Sequence, residues 1–232
     1  VPALWNTFET SHGNMGPYGS GTYRLKAYLK HVEGIIYGLK IPELATSYRL
    51  FVNGEEVAAN GEPGASKETT VPKWRPQVAV FETDSPDVEI MVHVANHSHT
   101  KGGMWKSIYL GRAEQIFRER DLAIGFELLV FGGLTALAVY HLMVFALRKQ
   151  HPPSLFLGIL CLVIAVRVVL TGEIFLAALI PNLDFELLVA LKYLTVPMML
   201  SILVCFMSRV YPGGLPRVLQ AFTHCFNLIS VM

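Results

Sequence analysis

Residues 122–147 read LAIGFELLVFGGLTALAVYHLMVFAL. A helix needs roughly 20 apolar residues to cross a hydrocarbon core of about 30 Å, and this run of 26 exceeds that. Two similar runs follow: LFLGILCLVIAVRVVLTGEIFLAALI at 155–180 and an apolar stretch at 187–208 that begins LLVALKYLTVPMML. A fourth, VLQAFTHCFNLISVM, occupies 218–232 and falls short of a full span, so the chain is expected to continue. The plainer alternative is a set of buried core helices in a large soluble protein. Three successive runs of this length are rare in a globular domain, so the spans predict a transmembrane bundle with about four helices present.

Working outward, the composition supports this division. The 232 residues are 52% hydrophobic with a net charge of +1, and the mean hydropathy is +0.42. Such hydropathy is unusual for a soluble domain, and a near-neutral charge gives no reason to expect a nucleic-acid partner. Most charges fall in residues 1–121, with Gly and Pro scattered among short runs. The predicted organisation is a soluble domain at 1–112, a charged linker at 113–121, and membrane helices over 122–232. The linker alternates sign, with Arg118 and Arg120 against Glu114, Glu119 and Asp121. It reads either as a solvated turn of helix at the headgroups or as a stiff coupling element.

Loop charge sets the expected orientation. RKQHPPS (148–154) and RVYPGGLPR (209–217) carry basic residues, whereas PNLDFE (181–186) has none. The positive-inside rule puts the first two in the cytoplasm and the third outside. The expected location is therefore a bacterial inner membrane, with the N-terminal domain extracytoplasmic. The chain does not begin with Met, and a signal peptide is expected to have been removed or to lie outside this sequence. Cys161, Cys205 and Cys225 all lie in the apolar runs, so a packed core rather than a disulfide framework must hold the outer domain.

That outer domain reads as all-β. TYRLKAYL (22–29), GIIYGLKI (34–41), SYRLFVNG (47–54), QVAVFET (77–83), DVEIMVHVAN (87–96) and MWKSIYLG (104–111) are short runs rich in branched and aromatic residues. Turn-forming residues separate them, as in an antiparallel sandwich or barrel. VNGEEVAANG (52–61) predicts a hairpin turning at Asn53-Gly54, the pair favoured in tight primed turns. In DVEIMVHVAN the period of two places Val88, Ile90, Val92 and Val94 on one face, with Glu89, Met91, His93 and Ala95 on the other.

VPALWN, GSGTYRLKAYL, YRLFVNGEEVAANG and VHVANHSHTKGGMWKSIYLG resemble the jelly-roll sugar-binding modules of family-2 glycosidases and their relatives. Such a module followed by apolar spans resembles the bacterial seven-transmembrane receptors with diverse intracellular signalling modules. The resemblance implies an extracytoplasmic jelly roll that senses carbohydrate or a similar small ligand. It also implies seven helices and a cytoplasmic output such as a histidine kinase or nucleotide cyclase. This sequence stops in the expected fourth helix, so the output domain is expected beyond it.

NHSHTKGGMW (96–105) is the candidate site. Trp74 and Trp105 offer flat apolar faces, and Asn96, His97 and His99 offer fixed polar groups, the combination a sugar pocket needs. Two alternatives stay open. One is a turn in which Asn and His side chains bond backbone amides. The other is a zinc site from His97 and His99 with His93 nearby, which lacks further ligands at fitting spacing. No G-x-S-x-G, P-loop or H-E-x-x-H occurs. Glu55 and Glu56 are adjacent, so in a strand they point apart, unlike paired glycosidase carboxylates. The chain is therefore read as a receptor and not as an enzyme, with no cofactor and no metal expected. Its expected partners are a carbohydrate or other small ligand and the lipid bilayer, and self-association as a homodimer stays open. A transporter or a membrane anchor carrying a carbohydrate-binding module is the alternative.

Arg167, Glu173 and Lys192 lie inside apolar spans, where ionisable residues are costly and usually face a partner or cavity. Glu173 stands about seven residues from the outer end of its helix, roughly 10 Å at about 1.5 Å per residue. Lys192 stands at a similar depth in the next helix. An ion pair between them is expected, the alternative being a Lys192 that snorkels outward beside a protonated Glu173. Arg167 lies deeper and needs another partner: a backbone carbonyl, Glu127 or a residue of further helices.

Overall fold

The computed structural model describes residues 3–10, 13–30, 33–44, 47–148, 152–180 and 183–211. The expected fourth run at 218–232 lies outside them, as do parts of the loops at 148–154, 181–186 and 209–217. The chain divides into two compact units, Val1–Leu122 and Ala123–Met232.

The first unit is a two-sheet antiparallel β-sandwich, as expected for a jelly roll. Its strands are β1 (Glu9–Thr10), β2 (Gly13–Asn14), β3 (Gly19–Tyr28), β4 (Tyr37–Ile41), β5 (Ser47–Val52), β6 (Glu55–Asn60), β7 (Gln77–Phe81), β8 (Asp87–Asn96) and β9 (Tyr109–Arg112). β1 and β2 pair alone, one sheet runs β3-β8-β5-β6, and the other runs β7-β4-β9. The period-two reading of β8 holds: Val88, Ile90, Val92 and Val94 are all buried. They meet Leu39, Ile41, Ala79 and Phe81 of the facing sheet in one core, with Tyr48, Leu50 and Val52 from β5. The β5–β6 hairpin turns at Asn53-Gly54 with φ of 50° and 87°, the two positive angles that a type I′ turn requires.

The strand expected at 104–111 is shorter, only Tyr109–Arg112. Upstream of it the backbone is engaged elsewhere. Ala3 N donates to Met104 O and Trp5 N to Gly102 O, and Met104 N donates to the Tyr23 hydroxyl, so the backbone at the start of the expected strand is bonded outside the sheet.

The stretch 113–121, expected as a linker, is helical and opens α1 (Ala113–Leu147), which runs without a break into the first apolar span. Its first turn packs on the outer face of the three-stranded sheet. Gly38 and Gly111 are register partners on β4 and β9. Ile116, 4% exposed, sits over both: a Cβ on Gly38 would lie 3.1 Å from Ile116 Cβ, and one on Gly111 would lie 3.4 Å from its Cδ1. Two facing glycines thus make a flat seat for one branched side chain.

The second unit contains the rest of α1, then α2 (Pro152–Leu170), α3 (Phe175–Leu179) and α4 (Phe185–Val210). α1, α2 and α4 are long and apolar enough to cross a membrane. The span expected to be continuous over 155–180 is instead interrupted. α2 ends at Leu170, Gly172 takes φ +66°, and five residues of helix resume at Phe175. The Thr171 hydroxyl folds back to donate to Arg167 O, and the Glu173 N–H donates to Glu127 Oε1 of α1 at 3.0 Å. A broken helix in hydrocarbon needs such replacement bonds.

Candidate functional site

The structure brings Trp74, Asn96 and His99 of the expected pocket together, but as scaffold. Asn96 ends β8 and is fully buried. Its Nδ2 donates to Pro17 O and His99 O, both at 2.7 Å, and its Oδ1 accepts from Ser98 N and His99 N. This is an Asx turn that also pins the chain before β3. His99 is 4% exposed, and its Nδ1 accepts from Lys101 N. Its ring meets Trp74, also 4% exposed, edge to face at 5.2 Å. Residues this deeply buried present no surface to a sugar. The glycine pair likewise serves packing: a Cβ on Gly102 would overlap the Pro17 backbone, and one on Gly103 would crowd the Trp5 ring.

His97 and Trp105 are different. Both are half-buried. His97 Nε2 and Trp105 Nε1 are buried with no hydrogen-bond partner among the described residues. The ammonium groups of Lys101 and Lys106 lie 5.6 and 5.1 Å from the Trp105 ring centre, within cation–π range, and Lys106 also pairs with the buried Glu43 at 2.8 Å. The exposed Glu68 carboxyl is held below its usual range by a hydrogen bond from Ser66 and its own backbone amide, with smaller help from Lys67 and His97. The three histidines weighed as zinc ligands go separate ways. His99 is packed on Trp74, and His93 faces outward from β8 against Thr22. Among the described residues no three potential ligands gather round one point.

A second site was less visible in the sequence. Thr22 of β3 stands opposite His93 of β8, which stands opposite Arg49 of β5. Directly opposed residues share a face with Cβ atoms about 5 Å apart, so the three form a row across the outer face of the four-stranded sheet. Thr22 Oγ1 and His93 Nδ1 are 2.8 Å apart, and Phe51 meets the His93 ring edge-on at 5.2 Å. An open groove of about 560 Å³ runs over this row, with Ser20 on its floor and Pro63, Gly64 and Ala65 as a wall.

The wall is preformed. Glu62 and Val71 exchange both backbone hydrogen bonds. Thr70 Oγ1 accepts from Gly64 N and donates to Ser66 O, and Asn60 Nδ2 donates to Lys73 O at 2.7 Å. Of this constellation the sequence singles out only His93, weighed beside His97 and His99 as a zinc ligand. The available signal was its place on the polar face of an alternating strand.

In the second unit Arg167 takes the first of the three partners weighed for it, a backbone carbonyl. Its Nη1 donates to Lys192 O at 3.0 Å and to Thr195 Oγ1 at 2.8 Å, both on α4. Glu127 serves the α2 break instead, through Glu173 N. Glu173 and Lys192 both have interaction partners.

Residues 124–232 match the model of a family described as 7TM diverse intracellular signalling. No curated protein matches the chain. Solved structures similar to it include a putative β-galactosidase from Bacteroides fragilis, 17% identical, covering 47% of this chain and 17% of that one at a TM-score of 0.36. A GH2 β-galacturonidase from Eisenbergiella tayi bound to galacturonate is 15% identical, with coverage of 47% and 19% and a TM-score of 0.35. A β-glucuronidase from Ruminococcus gnavus in complex with uronic isofagomine is 15% identical, with coverage of 47% and 22% and a TM-score of 0.38. This chain spans less than a quarter of each. At such scores the likeness carries no argument about what the chain binds.

Proposed function

Because its membrane half matches the 7TM diverse intracellular signalling family, we propose that the chain is the sensing portion of a signal-transduction receptor of a bacterial inner membrane. Its sandwich faces away from the cytoplasm, binds a carbohydrate or similar small ligand, and relays occupancy through the spans to a cytoplasmic output domain. A homodimer would suit such relay. Ligand contact falls to the groove over Thr22, His93 and Arg49, and to His97 and Trp105, rather than to the buried Trp74, Asn96 and His99.

The observation that carries the receptor reading is the start of α1. Ile116 is seated on Gly38 and Gly111 of the sensor sheet, and the same helix continues to Leu147 inside the first span. A mere anchor needs no such seat for the start of its helix. A transporter gains some support from the interrupted second span, while the family match favours the receptor.

Hydrogen exchange on the full chain in nanodiscs, with and without sugars found by a glycan screen, tests the proposal. A receptor shows ligand-dependent protection at 113–122. An anchor binds without that change, and a transporter moves the sugar into sealed vesicles.

A further inference from the structure

We infer that the groove on the four-stranded sheet selects a sugar that carries a carboxylate, with Arg49 as the residue that reads the charge. This rests on the sensor reading above and adds the ligand's class to it.

Among the described residues, the groove is lined by one full cation and no anion. The Arg49 side chain is 50% exposed, and its contact with Glu56 is long, 3.5 Å, to a carboxylate that is itself 40% exposed. So loose a pairing at a surface contributes little and leaves most of the five guanidinium donors available. A planar guanidinium matches a carboxylate through two parallel N–H···O bonds. A neutral sugar can take those donors only as ordinary hydroxyl contacts.

The rest of the row suits hydroxyls. The His93 ring is fixed on two sides, by Thr22 at Nδ1 and by Phe51 at its edge. Its Nε2 is left as a single oriented polar atom, a donor if Thr22 donates to Nδ1 and an acceptor if Nδ1 carries the proton. Ser20 adds a hydroxyl that can both donate and accept. A volume of about 560 Å³ falls within the usual range for small-ligand sites, and the self-bonded wall means little ordering is needed on binding.

A neighbouring groove on the same sheet gives the contrast. It is lined by Arg24, Lys26, Asp87 and Glu89, and Arg24 and Glu89 form an ion pair. Charges of both signs there offer no preference for an anion. The selectivity argument therefore applies to the Arg49 groove alone.

The test is isothermal calorimetry on the full chain in nanodiscs with two matched pairs, D-glucuronate with D-glucose and D-galacturonate with D-galactose. At least one acid should bind about ten-fold or more tightly than its neutral partner, as a charge-assisted bidentate contact implies. That preference should shrink as salt is raised. Arg49→Met should reduce the preference to less than about two-fold, and Arg49→Lys, which keeps charge but loses the fork, should leave part of it. Unchanged tryptophan emission reports that the variants remain folded. Equal or tighter binding of a neutral sugar, or a preference that survives Arg49→Met, overturns the inference and leaves the sensor standing. Binding of none of the four overturns the inference, and the sensor reading falls with it only if the glycan screen also finds no ligand.

Discussion

Replacing Asn96 separates a scaffold role from a ligand role. Its side chain is fully buried and makes four hydrogen bonds. Asn96→Ala strands Pro17 O, His99 O and His99 N in the interior, and Ser98 N loses a weaker contact at 3.4 Å. Each orphaned buried group costs about 1–3 kcal/mol. Because they share one turn their costs are not additive, and a total of about 3–5 kcal/mol is expected. The readout is convenient: the three tryptophans of the chain, Trp5, Trp74 and Trp105, all lie in the first unit. Tryptophan emission of the full chain in urea therefore follows the sandwich alone. With a slope of about 2 kcal/mol per molar, the midpoint should fall by about 1.5–2.5 M.

Asn96→Asp sharpens the test. It keeps the acceptor bonds but places carboxylate oxygen against the two carbonyls that Nδ2 served. The folded state then favours the protonated acid, raising its folded pKa above the unfolded value. Stability is retained below the unfolded carboxylate pKa and lost as pH rises past it. The Asp variant should accordingly be less unstable near pH 4 than at pH 7. A midpoint for Asn96→Ala within about 0.5 M of the parent, combined with lost sugar binding, would refute the scaffold assignment and restore Asn96 as a ligand contact.

Other outcomes follow from the same geometry. Gly38→Val drives new methyls into Ala113 and Ile116, which already stand 3.1 Å from a Cβ there. It should cost about 1–3 kcal/mol and abolish ligand-dependent protection at 113–122 while leaving sugar affinity within about two-fold. Gly172→Ala forces a side chain into left-handed backbone and onto the Glu127 carboxylate. It should lower the thermal stability of the detergent-solubilised chain, with about 1–2 kcal/mol lost from the backbone term alone. Cysteine labelling of intact cells, in a background lacking Cys161, Cys205 and Cys225, should modify position 183 and spare 152; the opposite pattern reverses the proposed orientation. For the proposed Glu173–Lys192 pair, Glu173→Gln and Lys192→Met should each destabilise more than the double change does, and strictly additive effects would exclude the pair.

How far the sequence could be read depended on whether the deciding contact was local. β8 and the Asn53-Gly54 turn were legible because period and turn chemistry act within a few residues. The strand expected at 104–111 was overstated because Met104 at its start bonds Ala3 N through its carbonyl and the Tyr23 hydroxyl through its amide, partners about 80–100 positions away that nothing in MWKSI announces. The break in the second span was missed because Thr171-Gly172 inside an apolar run is normally tolerated by a helix, and the bond that stabilises the break comes from Glu127. The same holds for the sites. NHSHTKGGMW was dense in polar groups, but density does not separate an Asn that satisfies its own turn from one that waits for a ligand. Thr22, His93 and Arg49 became neighbours only through the β3-β8-β5 register, which no short motif encodes.

The membrane residues show how a polar layer can be both expensive and informative. Arg167 spends its donors on a carbonyl and a hydroxyl of α4 rather than on a carboxylate. Thr195 Oγ1 donates to the same Lys192 carbonyl, and Pro197, five residues on, cannot donate to the helix ladder at all. α4 is thus locally loosened where it receives the arginine. On the other side, Glu127 of α1 bonds the backbone at the α2 break. The three described spans are therefore tied at two irregular points by hydrogen bonds, with apolar packing such as Gly158 against Ala138 and Leu142 elsewhere. Apolar helix contacts in lipid are nearly indifferent to small rotations, because a lipid tail replaces a side chain at little cost. A bond from Glu127 to one amide, or from Arg167 to one carbonyl, is not indifferent: it is either made or broken. A displacement of α1 of an ångström or two would release the Glu127 bond and leave an amide unsatisfied in hydrocarbon. These two bonds therefore fix the register of the three described spans, which apolar packing alone would leave loose.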